Sequence, residues 1–311
     1  MARRYDGRTT TFDPDGRLFQ IEYAVAAIDN AAPAVGVLAK DGIVIAGEKK
    51  VLSKLLATPK SSEKMATVDE HIVCAVAGLT SDANILLTQA RLVAQRHLFK
   101  YGERAPVETL VQQLADYKHV YTQTGGLRPF GVSLMYAGWD EHRGFQLYLS
   151  DPSGNYGGWK AAAMGANSGN ATSHLKGAYE EGVSVTDALD LAVTTLLKAL
   201  DTSTPSADRV DVAVLTLAGG LGDTPAAADS ADSSSSSSSS SSAAAAPAGT
   251  GADAAEDEAF VAAAKALGTA GGYHDAGAPK PVHRVLSHKE VEAVIARVAD
   301  KIAHDDDAKA E

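Results

Sequence analysis

The stretch AVGVLAKDGIVIAG, residues 34–47, decides the fold, because two apolar runs there flank Lys40-Asp41-Gly42. Asp-Gly between two such runs is a strong signal for a tight turn, so the stretch predicts an antiparallel hairpin. The same arrangement returns around Asp69-Glu70, where the runs 65–68 and 71–77 predict a second hairpin. Strands joined by tight turns favour antiparallel sheets over parallel ones.

The rest of the chain up to residue 217 alternates further strands with amphipathic helices. Further strands are predicted over Phe130–Gly138, Gly144–Leu149, Gly157–Ala163, Val210–Leu217 and, near the end of the chain, Val282–Leu286. Apolar residues at helical spacing predict helices over Arg17–Ile28, Ser81–Leu98, Val107–Tyr121, Ser168–Glu180, Thr186–Leu200 and Lys289–Ala303. Groups of hairpins, each followed by a pair of helices, do not fit a βαβ parallel sheet. They predict an α+β layered domain in which antiparallel sheets are covered by helices.

Composition and charge exclude several classes of protein. The chain has 311 residues, and 28 Lys and Arg against 39 Asp and Glu give a formal net charge of −11. This balance argues against binding of nucleic acid by general basicity. No stretch approaches the roughly 18–20 apolar residues that cross a bilayer. The lone Cys74 cannot form an internal disulfide, and the nine histidines lack zinc-type spacing. We therefore expect an intracellular protein without a metal or cofactor.

The N-terminal region carries a more specific pattern. The run Phe12-Asp-Pro-Asp-Gly16 predicts a turn, in which proline fixes φ and the two aspartates accept backbone N–H groups. Together with Tyr5-Asp6, Thr10, the run PDGRLFQIEYA at 14–24 and Ala27-Ile28, it resembles the N-terminal signature of alpha-type subunits of the proteasome core particle. This signature is long, so a chance match over some twenty positions is negligible.

The resemblance extends over residues 3–217 and 282–303. The runs 3–6, 138–140 and 151–160 look most similar to the subunit that occupies the third alpha position of the eukaryotic ring. The resemblance implies the fold of the N-terminal nucleophile hydrolases, a four-layer αββα sandwich of two antiparallel sheets covered by helices. It also implies partners, namely other alpha subunits in a seven-membered ring, beta subunits of inner rings, and regulatory-particle ATPases or other activators. The implied location is cytoplasm and nucleus, with no membrane or nucleic-acid partner.

One segment has no counterpart in this family pattern. Residues 218–279 are rich in Ala, Gly, Ser and Asp and include ten consecutive serines at Ser233–Ser242. They lack the apolar bulk that offsets the entropy of ordering, so we expect a flexible insertion that forms an oversized hairpin loop. The predicted organisation is one alpha-type domain made of residues 1–217 and 280–303, with a gate segment and helix at 1–30, the insertion at 218–279 and a charged tail at 304–311.

The residue at the family's nucleophile position argues against catalysis. Active members of the family attack with the hydroxyl of an N-terminal threonine, whose own free amine is the base. An alignment on Val35-Gly36 puts Ala32 at that position, while Glu48 and Lys64 stand where active members have an acidic residue and a lysine. We therefore expect a non-catalytic structural and gating subunit. The alternatives are a stand-alone N-terminal nucleophile hydrolase and a homo-oligomeric ring of one chain type.

The resemblance also implies two sets of site residues. A gate cluster between adjacent subunits would comprise Tyr5, Asp6, Pro14 and Tyr23, with residues 1–4 over the central pore; the alternative is that these residues only cap and pack the helix. A pocket that receives the C-terminal tails of activators would comprise Lys64 with Gly16, Arg17, Leu18, Glu22, Gly78 and Leu79. The alternative for the lysine is a solvated charge at a strand edge. No catalytic or metal-binding residue is expected.

Overall fold

The computed structural model describes residues 9–49, 55, 64–200, 207–217 and 281–310. In these ranges the chain forms ten strands and six α-helices. The strands are β1 (Ala34–Leu38), β2 (Gly42–Glu48), β3 (Met65–Asp69), β4 (Ile72–Gly78), β5 (Val132–Asp140), β6 (Gly144–Ser150), β7 (Tyr156–Gly158), β8 (Ala161–Met164), β9 (Val210–Leu217) and β10 (Pro281–Val285). The helices are α1 (Phe19–Asp29), α2 (Thr80–Tyr101), α3 (Val107–Gln123), α4 (Ser168–Ala178), α5 (Val185–Leu200) and α6 (His288–Ala310).

The strands form two antiparallel sheets of five. The first sheet has the order β10-β9-β2-β1-β8, and the second has the order β3-β4-β5-β6-β7. The predicted hairpins 34–47 and 65–77 each supply two neighbouring strands, one pair to each sheet. The tight turns of these hairpins place their strands side by side, as the sequence indicated.

Helices cover both outer faces, and an apolar layer fills the space between the sheets. Helices α4, α5 and α6 pack on the first sheet, while α2 and α3 pack on the second. Buried side chains from both sheets meet in the middle layer, among them Ile43, Ile45, Ala75, Met135 and Leu147. The arrangement is the four-layer αββα sandwich that the family resemblance implied, and it confirms the layered α+β domain predicted from the pattern of hairpins and helices.

The two sheets are in close contact at Gly36 in β1. A Cβ at this position would collide with Sδ of Met135 and lie 3.1 Å from Cδ1 of Leu147, both in the second sheet. The absence of a side chain therefore lets two large apolar residues pack directly against the backbone of β1.

The structure corrects the predicted single strand Gly157–Ala163. This stretch forms two short strands in different sheets, β7 in the second and β8 in the first. The crossing occurs at two consecutive residues: the N–H of Trp159 donates to the carbonyl of Leu147 at 2.8 Å, while the carbonyl of Lys160 accepts from the N–H of Leu38 at 2.8 Å. These partners belong to opposite sheets, so the chain changes layer between the two residues.

The C-terminal part pairs as predicted but continues further. Strand β10 pairs with β9. Ser287 precedes α6, and its N–H donates to the Glu290 carboxylate at 2.8 Å, which is one half of a capping box; its hydroxyl donates to the same oxygen at 2.8 Å. The helix predicted to end at Ala303 runs on to Ala310, so residues 304–310 of the expected tail have helical backbone. The proposed insertion at 218–279 lies outside the described residues. Over the described part of the chain, no helix is both long and apolar enough to cross a membrane.

Because β9 pairs with β10, we expect that a short linker can replace residues 218–280. Because Leu217 and Pro281 are directly opposite in the two strands, a short connection spans the same gap. We expect a linker of about five residues containing Gly and Asn to preserve the fold, and to raise the free energy of unfolding modestly because a shorter loop closes at lower entropic cost. Thermal unfolding followed by circular dichroism compares the two chains. Loss of the cooperative transition in the shortened chain would contradict this expectation.

Candidate functional site

The N-terminal turn is closed by its own aspartate. The buried Asp13 carboxylate accepts the N–H of Arg17 at 2.8 Å, and the Asp13 N–H donates to the Arg17 carbonyl at 3.0 Å. The hydrogen bond from the Arg17 backbone lowers the pKa of Asp13. Gly16 has φ +77°, a left-handed conformation that favours glycine. The predicted turn is therefore present, and Gly16 has a backbone reason to be glycine.

Two of the four predicted gate residues can be located. Pro14 is exposed on the N-terminal turn, and Tyr23 on α1 is 48% exposed, with its ring 6.3 Å from that of Phe19. Tyr5 and Asp6 lie outside the described residues. Helix α1 begins at Phe19 rather than at the predicted Arg17, because residues 13–17 form the turn.

The nucleophile position is occupied by an alanine held in the main chain. Ala32 lies between α1 and β1, and the neighbouring Ala31 carbonyl accepts the N–H of Ala166 at 2.8 Å. The amide nitrogen of Ala32 is in peptide linkage with Ala31, so it offers no free amine, and its methyl side chain has no attacking atom. The two groups that threonine chemistry requires are both missing at this residue.

Lys64 points at this alanine. Its ammonium group donates a hydrogen bond to the Ala32 carbonyl oxygen, and its side chain is half-buried. The aliphatic stem lies over Gly47 in β2, where a Cβ would come within 2.8 Å of Cγ of Lys64. The Lys64 carbonyl accepts the N–H of Val76, which fixes the residue at the start of β3. The predicted lysine is therefore positioned from both sheets.

The acidic residue Glu48 forms an ion pair with an arginine. Glu48 ends β2 with its carboxylate 5% exposed, and that carboxylate accepts a hydrogen bond from Arg209 at 2.8 Å. Arg209 belongs to the short helical turn Ala207–Arg209 that precedes β9. No sequence motif indicated this pairing, since the two residues are far apart in the chain. The ion pair offsets the free-energy cost of burying the Glu48 carboxylate.

Gly78 and Leu79 lie at the same end of the second sheet as Lys64. Gly78 ends β4 with φ +127°, and a Cβ there would collide with the Gly131 carbonyl. Leu79 is 46% exposed, and its N–H donates to that same carbonyl at 3.0 Å. Gly131 in turn donates its N–H to Asp82, so these predicted pocket residues are part of a hydrogen-bonded unit.

The remaining pocket residues lie around the start of α1. Leu18 precedes the helix and its carbonyl accepts the N–H of Glu22 at 3.3 Å, while the guanidinium of Arg17 lies 3.7 Å from the Glu22 carboxylate. Helix α1 packs against β4 and β5. The structure therefore places the two groups of predicted pocket residues on elements that touch each other.

A second cluster of titratable groups was not indicated by the sequence. The fully buried Lys118 of α3 donates to the Ser150 hydroxyl at 2.9 Å and to the Val132 carbonyl at 3.2 Å. Burial lowers the pKa of Lys118 to about 8 and raises the pKa of Cys74 to about 12. A lysine beside a serine hydroxyl is a reactive combination at a surface. Here both residues have zero exposure, so the pair ties α3 to the second sheet instead.

Comparisons with known proteins agree with this geometry. The family described as "Proteasome subunit" matches residues 28–215, and the N-terminal signature of alpha-type proteasome subunits matches residues 5–27. Proteasome subunit alpha type-4-1 of Oryza sativa subsp. indica is 58% identical over 223 residues, which is 72% of this chain and 89% of the relative. Proteasome subunit alpha type-4-A of Arabidopsis thaliana is 57% identical over 217 residues, 70% of this chain and 87% of the relative.

An αββα sandwich with an inert nucleophile position defines a non-catalytic member of the N-terminal nucleophile hydrolase class. The chain belongs to the proteasome subunit family. Within it, the N-terminal signature and the relatives make this chain one of the alpha-type subunits, which are non-catalytic members of a threonine-protease complex. These findings fit a structural and gating role in the core particle.

Restoring a hydroxyl at the nucleophile position should not restore catalysis. In Ala32→Thr the new hydroxyl would still lack a free amine as base, and the Lys64 ammonium already donates to the carbonyl of residue 32. We expect no peptide hydrolysis and no self-cleavage before residue 32, measured by a fluorogenic peptide assay and by intact mass. Ala31→Thr is the matched control. A cleaved chain or new hydrolysis specific to Ala32→Thr would contradict the assignment.

Proposed function

We propose that this chain is one member of a seven-membered alpha ring that covers the beta rings of the proteasome core particle and controls entry of substrates for ubiquitin-dependent degradation. The observation that carries the proposal is the retained but inert site, in which Lys64 donates to the main chain of Ala32. A half-buried ammonium at the surface of a ring member is suited to contacts with a partner rather than to hydrolysis.

Within the ring we propose the third alpha position. The runs 3–6, 138–140 and 151–160 support this choice. The relatives are named alpha type-4, a type number that states no position in a ring. Mass identification of the chains that cross-link to its two flanks tests the position. A particle in which both flanks carry copies of this same chain would favour a ring of a single chain type. We further propose that the particle works in cytoplasm and nucleus, which imaging of the tagged chain tests.

The activator pocket is proposed around Lys64, with Gly78, Leu79 and the start of α1. The ammonium would bind the terminal carboxylate of an activator tail, and Leu79 would offer an exposed apolar contact. Arg17 and Glu22 would lie at the rim, since they form an exposed pair at the beginning of α1. To accept a carboxylate, the Lys64 ammonium has to share or exchange its hydrogen bond to Ala32.

Loss of the Lys64 ammonium should weaken activator docking at this pocket. A charge-assisted hydrogen bond contributes about 1.5–3 kcal/mol, so Lys64→Ala should weaken tail binding by roughly 10- to 150-fold. Activator-stimulated peptide hydrolysis of the assembled particle measures the effect, and assembly should be intact. Lys160→Ala is the matched control, because Lys160 is exposed and paired with Glu181 away from the pocket. If Lys64→Ala does not change the activator concentration that gives half-maximal stimulation, the pocket assignment is overturned.

The gate is proposed from Tyr5, Asp6, Pro14 and Tyr23, with the residues before Tyr5 lying over the pore. Pro14 stiffens the turn, and the exposed Tyr23 presents a ring and a hydroxyl to a neighbouring subunit. The buried Asp13 closes this turn through Arg17, two residues before α1, which places Pro14 close to the start of the helix that carries Tyr23.

Removal of residues 2–4 should open the pore in the absence of an activator. The shortened chain leaves less material to cover the entrance, so basal hydrolysis of a small fluorogenic peptide by the assembled particle should rise. Stimulated hydrolysis at saturating activator should stay near that of the intact particle. A particle whose basal hydrolysis does not change would argue against a gating role for this segment.

A further inference from the structure

The main chain at Gly78 and Leu79 packs against Gly131. The Gly131 carbonyl accepts the N–H of Leu79 at 3.0 Å, and it fills the space that a Cβ of Gly78 would need. A Cβ on Gly131 would itself lie 3.1 Å from Cδ1 of Leu79. The exposed Leu79 side chain is therefore held against the backbone of Gly131.

Gly131 is held in turn by a buried carboxylate. Its N–H donates to Oδ2 of Asp82 at 3.1 Å, and Arg128 donates to both carboxylate oxygens at 2.6 and 2.9 Å. The Asp82 side chain is only 5% exposed, whereas that of Arg128 is 62% exposed. The carboxylate thus accepts two hydrogen bonds from the Arg128 guanidinium and one from the Gly131 main chain. Together these bonds fix residues 128–131 against the first turn of α2.

These three donors require an ionised acid. A carboxamide has one acceptor oxygen, and its NH₂ group would face a donor instead of an acceptor. Asp82→Asn therefore removes at least one of the three bonds with almost no change in volume. The variant loosens residues 128–131 without opening a cavity.

The unit lies next to Lys64 in the sheet. Lys64 is opposite Val76, whose N–H donates to the Lys64 carbonyl at 3.0 Å, and Gly78 is two residues further along β4. Two residues of a strand span about 6.6 Å. The position of Leu79 relative to the Lys64 side chain is therefore set by β4 on one side and by Gly131 on the other.

We propose that Asp82 is a positioning residue of the activator pocket: through Gly131 it fixes the main chain of Gly78 and Leu79 relative to Lys64. This inference rests on the proposed function of Lys64. Asp82 does not touch the activator tail, and it acts through the two residues that do. Binding groups have to be held within about 0.5 Å of their productive geometry, so loosening Gly131 lowers affinity for the tail.

The test compares two buried carboxylates in assembled particles. Asp82→Asn is paired with Asp190→Asn, because Asp190 is also buried and pairs with two cations, Arg297 and Lys301, but lies in the helical layer over the first sheet. The readouts are the melting temperature, basal hydrolysis of a fluorogenic peptide, and the concentration of purified ATPase-ring activator that gives half-maximal stimulation. A synthetic peptide with the activator's C-terminal residues serves as a competing probe.

We expect both variants to lower the melting temperature and to leave basal hydrolysis unchanged. Only Asp82→Asn should raise the half-saturating activator concentration, by roughly tenfold. If the two variants have the same half-saturating activator concentration, the inference is overturned and Asp82 is a purely stabilising residue. If Lys64→Ala also leaves half-saturation unchanged, the proposed pocket itself fails. If Lys64→Ala weakens stimulation and Asp82→Asn does not, only the positioning role fails.

A milder variant covers the case in which Asp82→Asn does not assemble. Arg128→Gln removes the exposed cation but leaves the bond from Gly131 to Asp82 available. Arg128→Gln should raise the half-saturating activator concentration, as Asp82→Asn does, but by a smaller factor. Arg128→Lys keeps a cation at this position and should recover part of the lost affinity. No shift in Arg128→Gln would then overturn the positioning role.

Discussion

The close contact between the inner faces of the two sheets is the constraint on which the rest of the structure depends. Gly36 lets Met135 and Leu147 of the second sheet pack directly against β1 of the first. At one end of the same contact, Gly47 of the first sheet lies beneath the aliphatic stem of Lys64, which begins the second. The Lys64 ammonium group reaches the Ala32 carbonyl because the start of β3 lies close to Gly47 in β2. Intersheet packing thus positions Lys64 at Ala32, while the absence of a hydroxyl at residue 32 makes the site inert.

The site has no attacking hydroxyl but contains two charged groups that the fold has to accommodate, Glu48 and Lys64. A buried carboxylate without a partner is costly, and removing one member of a buried pair typically costs about 3–5 kcal/mol. Glu48 keeps its place at the end of β2 because Arg209 pairs with it, and the Lys64 ammonium has a main-chain carbonyl as acceptor. Both charges are therefore held by the structure, and of the two only Lys64 is exposed enough to contact a partner.

Local patterns in the sequence predicted most of the fold, and the family resemblance supplied the candidate site residues. Tight-turn signals gave the hairpins and helical spacing gave the helices, because both depend on residues close in the chain. Position 32 and Lys64 could be found because a family pattern marks them. The pairs Glu48–Arg209 and Asp82–Arg128 could not, since they join distant segments and leave no local periodicity. The break in Gly157–Ala163 was missed for the same reason: its strand-like composition does not reveal which sheet each half joins.

Opposite charges hold consecutive residues at the start of β5. Asp82 binds the N–H of Gly131, and Lys118 binds the carbonyl of Val132. Hydrogen bonds from Arg128 lower the pKa of Asp82, so its stabilising contribution is present above the usual carboxyl range and is lost as pH falls through the folded-state pKa. Burial lowers the pKa of Lys118 from 10.5 to about 8, so the unfolded chain binds more protons between these values and stability rises with pH there. The Cys74 thiol, with its pKa raised by burial to about 12, acts in the opposite direction above pH 9. In the acid range neither Lys118 nor Cys74 changes its charge, so they do not oppose the loss at Asp82, and stability at the start of β5 falls as Asp82 becomes protonated.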